Sequence, residues 1–134
     1  MNLYLDSSAL VKRYVDEEGS AEVRKATNQA QTWNAAHVGL VETMLAVGRK
    51  AGKAAEKRAR DEWDRSMNVI YLDQSQCDRA LELARRRNLG TLDALHLAAA
   101  LRAAHDDLTF ATFDRRLHAA AQAEGLATLP ASLS

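Results

Sequence analysis

The sequence predicts an α/β fold: a three-layer α/β/α sandwich with a central, mainly parallel sheet. Three observations lead there. Short apolar runs with β propensity occur at residues 3–5, 69–72 and 108–113. Segments with helical spacing of apolar residues lie between them, in place of the two-residue turns that join antiparallel neighbours. The strand–helix alternation then repeats, as it does where helices cover both faces of a parallel sheet. A chain of 134 residues, 47% of them hydrophobic, is the size of one domain and can bury a core, so a single domain over residues 1–134 is expected.

Each element follows from local chemistry. Leu3-Tyr4-Leu5 stops at Asp6-Ser7-Ser8, whose side chains suit a helix N-cap. Leu10, Val11, Tyr14 and Val15 continue at helical spacing to the acidic turn Asp16-Glu17-Glu18-Gly19, and Ser20 caps a second helix to about Ala30. An extended segment is expected around Trp33-Asn34-Ala35. Val38, Val41, Leu45 and Val47 mark a long helix that reads as buried, and Gly52 separates it from a charged, alanine-rich helix reaching Arg65. After the 69–72 strand, Ser75 and Asp78 resemble a capping box for a helix to Arg87. Gly90-Thr91 opens the next helix, through Leu101, which Asp106-Asp107 should break. A final helix over 115–124 stops at Gly125, and residues 126–129 suggest one more short strand before Pro130.

Charge and cysteine usage narrow the setting. Lysines and arginines number 18 against 18 acids, so any attraction for a polyanion must be local. Basic residues cluster at 49–65 and at Arg85-Arg86-Arg87, but acids interleaved in the former favour a solvated helix over RNA contact. Lys12 and Arg13, near Asp6, are alternative phosphate contacts. The single cysteine, Cys77, and the absence of a signal-peptide pattern point to the cytoplasm. No apolar stretch approaches the roughly 20 residues of a membrane span. Glycine-rich phosphate loops, Cys/His zinc spacings and the Gly-x-Ser-x-Gly elbow are all missing.

Acids are what remain. In parallel sheets ligands sit at the carboxyl ends of the strands, which directs attention to Asp6 and Asp114, although a carboxylate there can equally cap a helix. Asp73 follows a strand in the same way, so position alone does not select a ligand. Glu42 is the only formally charged residue between Val38 and Gly48, and a buried carboxylate needs a cation, strong hydrogen bonds or a proton. Asp93 is the only acid in 89–101, with His96 the only other ionisable side chain there; a first-turn acid is its structural alternative, and packing is the expected role of His96. Several carboxylates gathered together would repel unless a cation neutralised them, and oxygen-only ligands suit Mg2+ or Mn2+. Such a centre activates water for phosphodiester hydrolysis. Ser7 and Thr112, beside Asp6 and Asp114, are candidate helpers that would hydrogen-bond a metal water or a phosphate.

Four blocks carry a family resemblance. The opening Leu3-Tyr4-Leu5-Asp6-Ser7-Ser8-Ala9-Leu10-Val11 resembles that of PIN domains, especially VapC-type toxins of toxin–antitoxin pairs. Val41-Glu42, Thr91-Leu92-Asp93-Ala94-Leu95-His96-Leu97-Ala98 and Leu108-Thr109-Phe110-Ala111-Thr112-Phe113-Asp114 resemble the remaining blocks, in order and over nearly the whole chain. The resemblance implies metal-binding acids at Asp6, Glu42, Asp93 and Asp114, and leaves out Asp73. It further implies a Mg2+- or Mn2+-dependent endoribonuclease that forms a homodimer and is inhibited by an antitoxin protein. Some PIN domains carry another acid after the fourth block, where this chain has Arg115-Arg116, so one ion and two ions both stay open. The rival readings are a PIN-fold nuclease acting on DNA, a non-catalytic PIN-fold binding module and, more remotely, a phospho-receiver domain built on Asp73.

Overall fold

Leu3, Tyr4 and Leu5 are all buried, and they point to opposite sides of the sheet: Leu3 and Leu5 join one apolar cluster with Trp33, Ala35 and Ala111, Tyr4 another with Ala36 and Phe110. A strand apolar on both faces must be covered on both faces, and this requirement produces the layers. The computed structural model describes residues 1–104 and 107–133. Its strands are β1 (Asn2–Leu5), β2 (Thr32–Ala36), β3 (Met67–Ile70), β4 (Leu108–Ala111) and β5 (Ala127–Leu129). They form one sheet in the order β3-β2-β1-β4-β5, every neighbouring pair parallel.

Helices α1 (Ser7–Tyr14), α2 (Ser20–Gln29), α3 (Val38–Ala51) and α4 (Lys53–Ser66) supply the cluster around Leu3 and Leu5, through residues such as Leu10, Ala26, Val47 and Trp63. Helices α5 (Gln74–Arg87), α6 (Thr91–Ala103) and α7 (Arg115–Ala123) supply the other, through Leu83, Leu97 and Leu117. The predicted sandwich is therefore present, and the weaker strand signals at Trp33 and 126–129 are genuine strands. From β1 the chain builds outward to β2 and β3, then returns to lay β4 and β5 on the other side. The reversal falls between β1 and β4, and a crevice opens beyond the carboxyl ends of strands at such a point.

Several local expectations need correction. Strand β3 begins earlier than the 69–72 run and leaves Tyr71 65% exposed. The cap of α5 is Asp73, whose carboxylate accepts from the Gln76 amide at 3.0 Å, so Ser75 and Asp78 do not form the capping box. Gly90 holds the N-cap position of α6, and Thr91 is its first helical residue. Helix α3 is not buried all round: Val41 and Leu45 are 58% and 62% exposed. Gly52, at φ +89, does separate α3 from α4. Exposed i,i+4 pairs Lys57–Asp61 and Arg60–Asp64 agree with a solvated α4. Asp106, one of the expected helix breakers, lies outside the described residues.

One polar network ties three helices together. Arg13 donates through Nε and Nη2 to the two oxygens of Glu62, at 2.9 and 3.1 Å. Its Nη1 donates to Thr27 Oγ1 at 2.7 Å and Asn28 Oδ1 at 2.9 Å, while the guanidinium lies 4.9 Å from the Trp33 ring centroid. These bonds hold the Glu62 carboxyl below its ordinary pKa, against the opposing effect of burial. A carboxyl depressed in the folded state stabilises above its unfolded pKa and loses that contribution as the pH falls through the folded value. Glu62→Gln should therefore cost about 1–2 kcal/mol at pH 7. Denaturant unfolding across pH should show the gap between variant and wild type closing on acidification below the ordinary carboxylate range.

Candidate active site

Asp6 ends β1 and caps α1. The residue is 4% exposed, and its side chain accepts three hydrogen bonds. Oδ1 takes the Ala9 amide at 2.9 Å and Ser8 Oγ at 2.7 Å, while Oδ2 takes Thr112 Oγ1 at 2.5 Å. Both lone pairs of Oδ1 are thus used, and Oδ2 keeps one. Burial pushes the Asp6 carboxyl pKa up, with His96 and the three donors pulling against it.

Asp114 stands at the equivalent exit from β4. It caps α7 by accepting the Leu117 amide on Oδ1 at 2.8 Å, and its own amide donates to Thr112 Oγ1 at 3.1 Å. Thr112 therefore bridges the Asp114 backbone to the Asp6 carboxylate. Ser8 adds a second bridge, accepting the Phe113 amide at 3.0 Å while donating to Asp6. Of the two expected helpers, Thr112 binds Asp6 directly. Ser7 lines the neighbouring cleft, and the bond to Asp6 comes instead from Ser8. The cap geometry explains the difference, because Asp6 reaches over the first turn to positions two and three residues ahead.

Glu42 projects from α3 with its side chain 24% exposed, and its Oε1 lies 2.7 Å from His96 Nε2. His96 is 1% exposed, with Nδ1 2.8 Å from the Tyr4 hydroxyl, which accepts the Ala36 amide at 3.1 Å. In the neutral tautomer that turns Nε2–H toward the Glu42 carboxylate, Nδ1 accepts the proton of the Tyr4 hydroxyl. Burial is the largest influence on His96 and disfavours its charged form, but the Glu42 hydrogen bond and the charges of Asp6, Glu42 and Asp93 outweigh it and raise the pKa.

Asp93 sits half-buried in the first turn of α6, one turn before His96. Its carboxyl is pushed up first by burial, then by Asp114 and Asp6, with His96 opposing and Glu42 adding to the rise. The charges of the other three acids thus all act on Asp93. Among the described residues no three His, Cys, Asp or Glu side chains stand at metal-ligating spacing. Asp73 is elsewhere: it follows edge strand β3, caps α5 and pairs with Arg102 at 2.8 Å, which holds its carboxyl down at about 2.

The family model of the PIN domain matches residues 3–123. The chain belongs to the PIN-domain family. It is 34% identical over 134 residues to the ribonuclease VapC46 of Mycobacterium tuberculosis (strain ATCC 25618 / H37Rv), covering 97% of this chain and 98% of the relative. Among solved structures it resembles VapC20 of Mycobacterium tuberculosis, described as a sarcin–ricin loop cleaving toxin, with a TM-score of 0.74, 15% identity and coverage of 92% and 95%. A toxin–antitoxin complex from Klebsiella pneumoniae matches at a TM-score of 0.66 and 20% identity, covering 84% and 86%. At these identities the two structures speak for the fold.

Within this PIN domain, His96 is buried as expected, but sequence reasoning missed Tyr4, Ser8 and the bond from His96 to Glu42. An isolated histidine in an apolar helix was the available signal, but its partner Glu42 is 54 residues away. Tyr4→Phe tests the buried chain, since it keeps the ring that stacks on Phe110 at 5.1 Å and removes only the hydroxyl. With His96 Nδ1 and the Ala36 amide left without their partner, urea unfolding should show a loss of about 1–3 kcal/mol. Wild-type stability in this variant would mean that the hydroxyl does not hold the network.

Proposed function

We propose that this PIN domain, spanning residues 1–134, is the toxin of a toxin–antitoxin pair and hydrolyses RNA phosphodiesters. Its reacting centre comprises Asp6, Glu42, Asp93 and Asp114, with Mg2+ or Mn2+ as cofactor. The observation that carries this reading is the placement of the acids: Asp6 and Asp114 follow the paired strands β1 and β4 and are joined through Thr112, while Glu42 is tied to His96, one turn from Asp93 on α6. Mutually repelling carboxylates around a crevice are a poor structural device and a good cation site. The ribonuclease name of the relative supports the activity.

The donor set fits a hard divalent cation. Oxygen ligands alone favour Mg2+ or Mn2+ over zinc. Glu42 and Asp114 each have one oxygen engaged by the fold and retain acceptor capacity on the other, while Asp6 has both oxygens engaged and keeps one lone pair on Oδ2. Bound there, the ion would supply a water of lowered pKa and offset the negative charge that builds on the phosphate during cleavage. Thr112 and Ser8 fix the Asp6 carboxylate, and His96 fixes that of Glu42. Restricting these rotamers in advance lowers the cost of assembling the site.

The similar toxin–antitoxin complex supports an antitoxin protein as partner. Exposed Val41 and Leu45, on the helix that carries Glu42, offer an apolar surface beside the site. A homodimer and a cytoplasmic setting complete the proposal, and among the described residues no helix is long and apolar enough to cross a membrane.

Asp93→Asn is the cleanest test, because Asp93 receives no hydrogen bond among the described residues and caps nothing by its side chain. With the fold intact by circular dichroism, Mg2+- or Mn2+-dependent cleavage of a single-stranded RNA should fall by about 100-fold or more. Undiminished cleavage would refute the four-acid centre. Parallel assays on DNA should show RNA to be preferred, and preferential cutting of DNA would move the reading to a DNA nuclease.

A further inference from the structure

A cleft of about 220 Å³ leads away from Glu42, lined among others by Ser7, Lys12, Glu17, Lys50 and Phe113. Two helices form its walls. On α1, Ser8 and Lys12 are one turn apart; on α3, Glu42, Ala46 and Lys50 follow at intervals of four. Eight residues at the helical rise put Lys50 about 12 Å along α3 from Glu42. The acidic end of the cleft is thus joined to a basic end.

That basic end is built. Glu17 accepts from Lys12 Nζ on one oxygen at 3.2 Å and from Lys50 Nζ on the other at 3.4 Å. Lys12 also lies 4.7 Å from the Phe113 ring centroid, and its side chain is only 12% exposed, low for a lysine. The turn that presents Glu17 is held by the Glu17 amide donating to Ser20 Oγ at 3.0 Å and by Ser20 Oγ donating to the Val15 carbonyl at 2.7 Å. Gly19, at φ +91, allows the turn to close on Phe113, since a Cβ there would come within 2.7 Å of the ring. An ordinary solvated ion pair needs none of this support.

Two ammonium groups against one carboxylate leave net positive charge, and each ammonium has three donors of which Glu17 takes one. A larger cleft of about 450 Å³, lined by Arg13, Arg24, Arg58 and Arg65, is less suited to an anion: Arg13 is already committed to Glu62, Thr27 and Asn28.

We infer that Lys12 and Lys50, held across Glu17, form a subsite for an RNA backbone phosphate adjacent to the one cleaved at the four acids. The inference rests on the ribonuclease reading above. Glu17 keeps the amines at a spacing that one oxyanion bridges, and it limits their attraction for phosphates in general. Phosphate contacts of this kind set position along the strand and carry no base sequence.

The test compares wild type with Lys50→Gln, Lys12→Gln and Glu17→Gln on a short single-stranded oligoribonucleotide at constant Mg2+ and varied monovalent salt. Lys50→Gln, at an exposed position, should raise KM by about 5- to 10-fold with kcat within about twofold, and lower the salt slope by about 0.7. Lys12→Gln should act in the same direction, and Glu17→Gln should lower KM at low salt. Binding of the same oligoribonucleotide to Asp93→Asn protein, with and without Lys50→Gln, reads the subsite independently of cleavage. Unchanged KM, binding and salt slope in both lysine variants would overturn the subsite, as would a fall in kcat alone. A wild type that binds the RNA through Lys50 but never cuts it would overturn the ribonuclease reading and leave the subsite standing.

Discussion

Carboxylates gathered at one end of a parallel sheet repel one another, and much of the polar structure around β1 and β4 serves to keep them there. Asp6 is the most deeply placed, at 4% exposure, and is held by two hydroxyls and an amide. Glu42 is held by a chain that begins at the Ala36 amide and passes through Tyr4 and His96. Each support satisfies polar groups that would be costly to bury alone. The site is therefore continuous with the core, through Tyr4 stacked on Phe110.

Helix ends share the task. Asp6 and Asp114 cap α1 and α7, and Asp93 lies in the first turn of α6. At each place the partial positive charge of a helix N-terminus favours a carboxylate. The fold thus brings negative charge together where backbone dipoles oppose some of the repulsion. The same αβ crossovers place strand ends and helix starts side by side at the switch between β1 and β4, so sheet topology and electrostatics select the same location.

The layered fold was legible because its signal is local. The apolar runs of β1 and β4, the glycine between α3 and α4, and the acids after strands are visible in short windows. Caps and strand limits were less legible: Asp73 displaced the Ser75–Asp78 pairing by accepting the Gln76 amide, and β3 began before its most apolar residues. Glu42 stood out as an isolated charge in a helix that reads as buried, yet Val41 and Leu45 of that helix face solvent. Asp6 and Asp73 looked alike because both follow strands and both cap helices. What separates them is strand order, β1 at the centre and β3 at the edge, which no window of sequence contains. Ser8, His96 and Tyr4 owe their roles to partners on other elements and were hidden for the same reason.

Melting temperatures of wild type and Asp93→Asn, each with and without Mn2+, address the shared field of the four acids most directly. Freed of divalent ions, Asp93→Asn should melt above wild type, because a half-buried carboxylate repelled by three neighbours has been neutralised. Saturating Mn2+ should reverse the order, since only wild type gains full stabilisation from a ligand that binds the folded state. A wild type that melts above Asp93→Asn without the ion, or equal gains from Mn2+ in both proteins, would contradict a single cation site formed by mutually repelling acids.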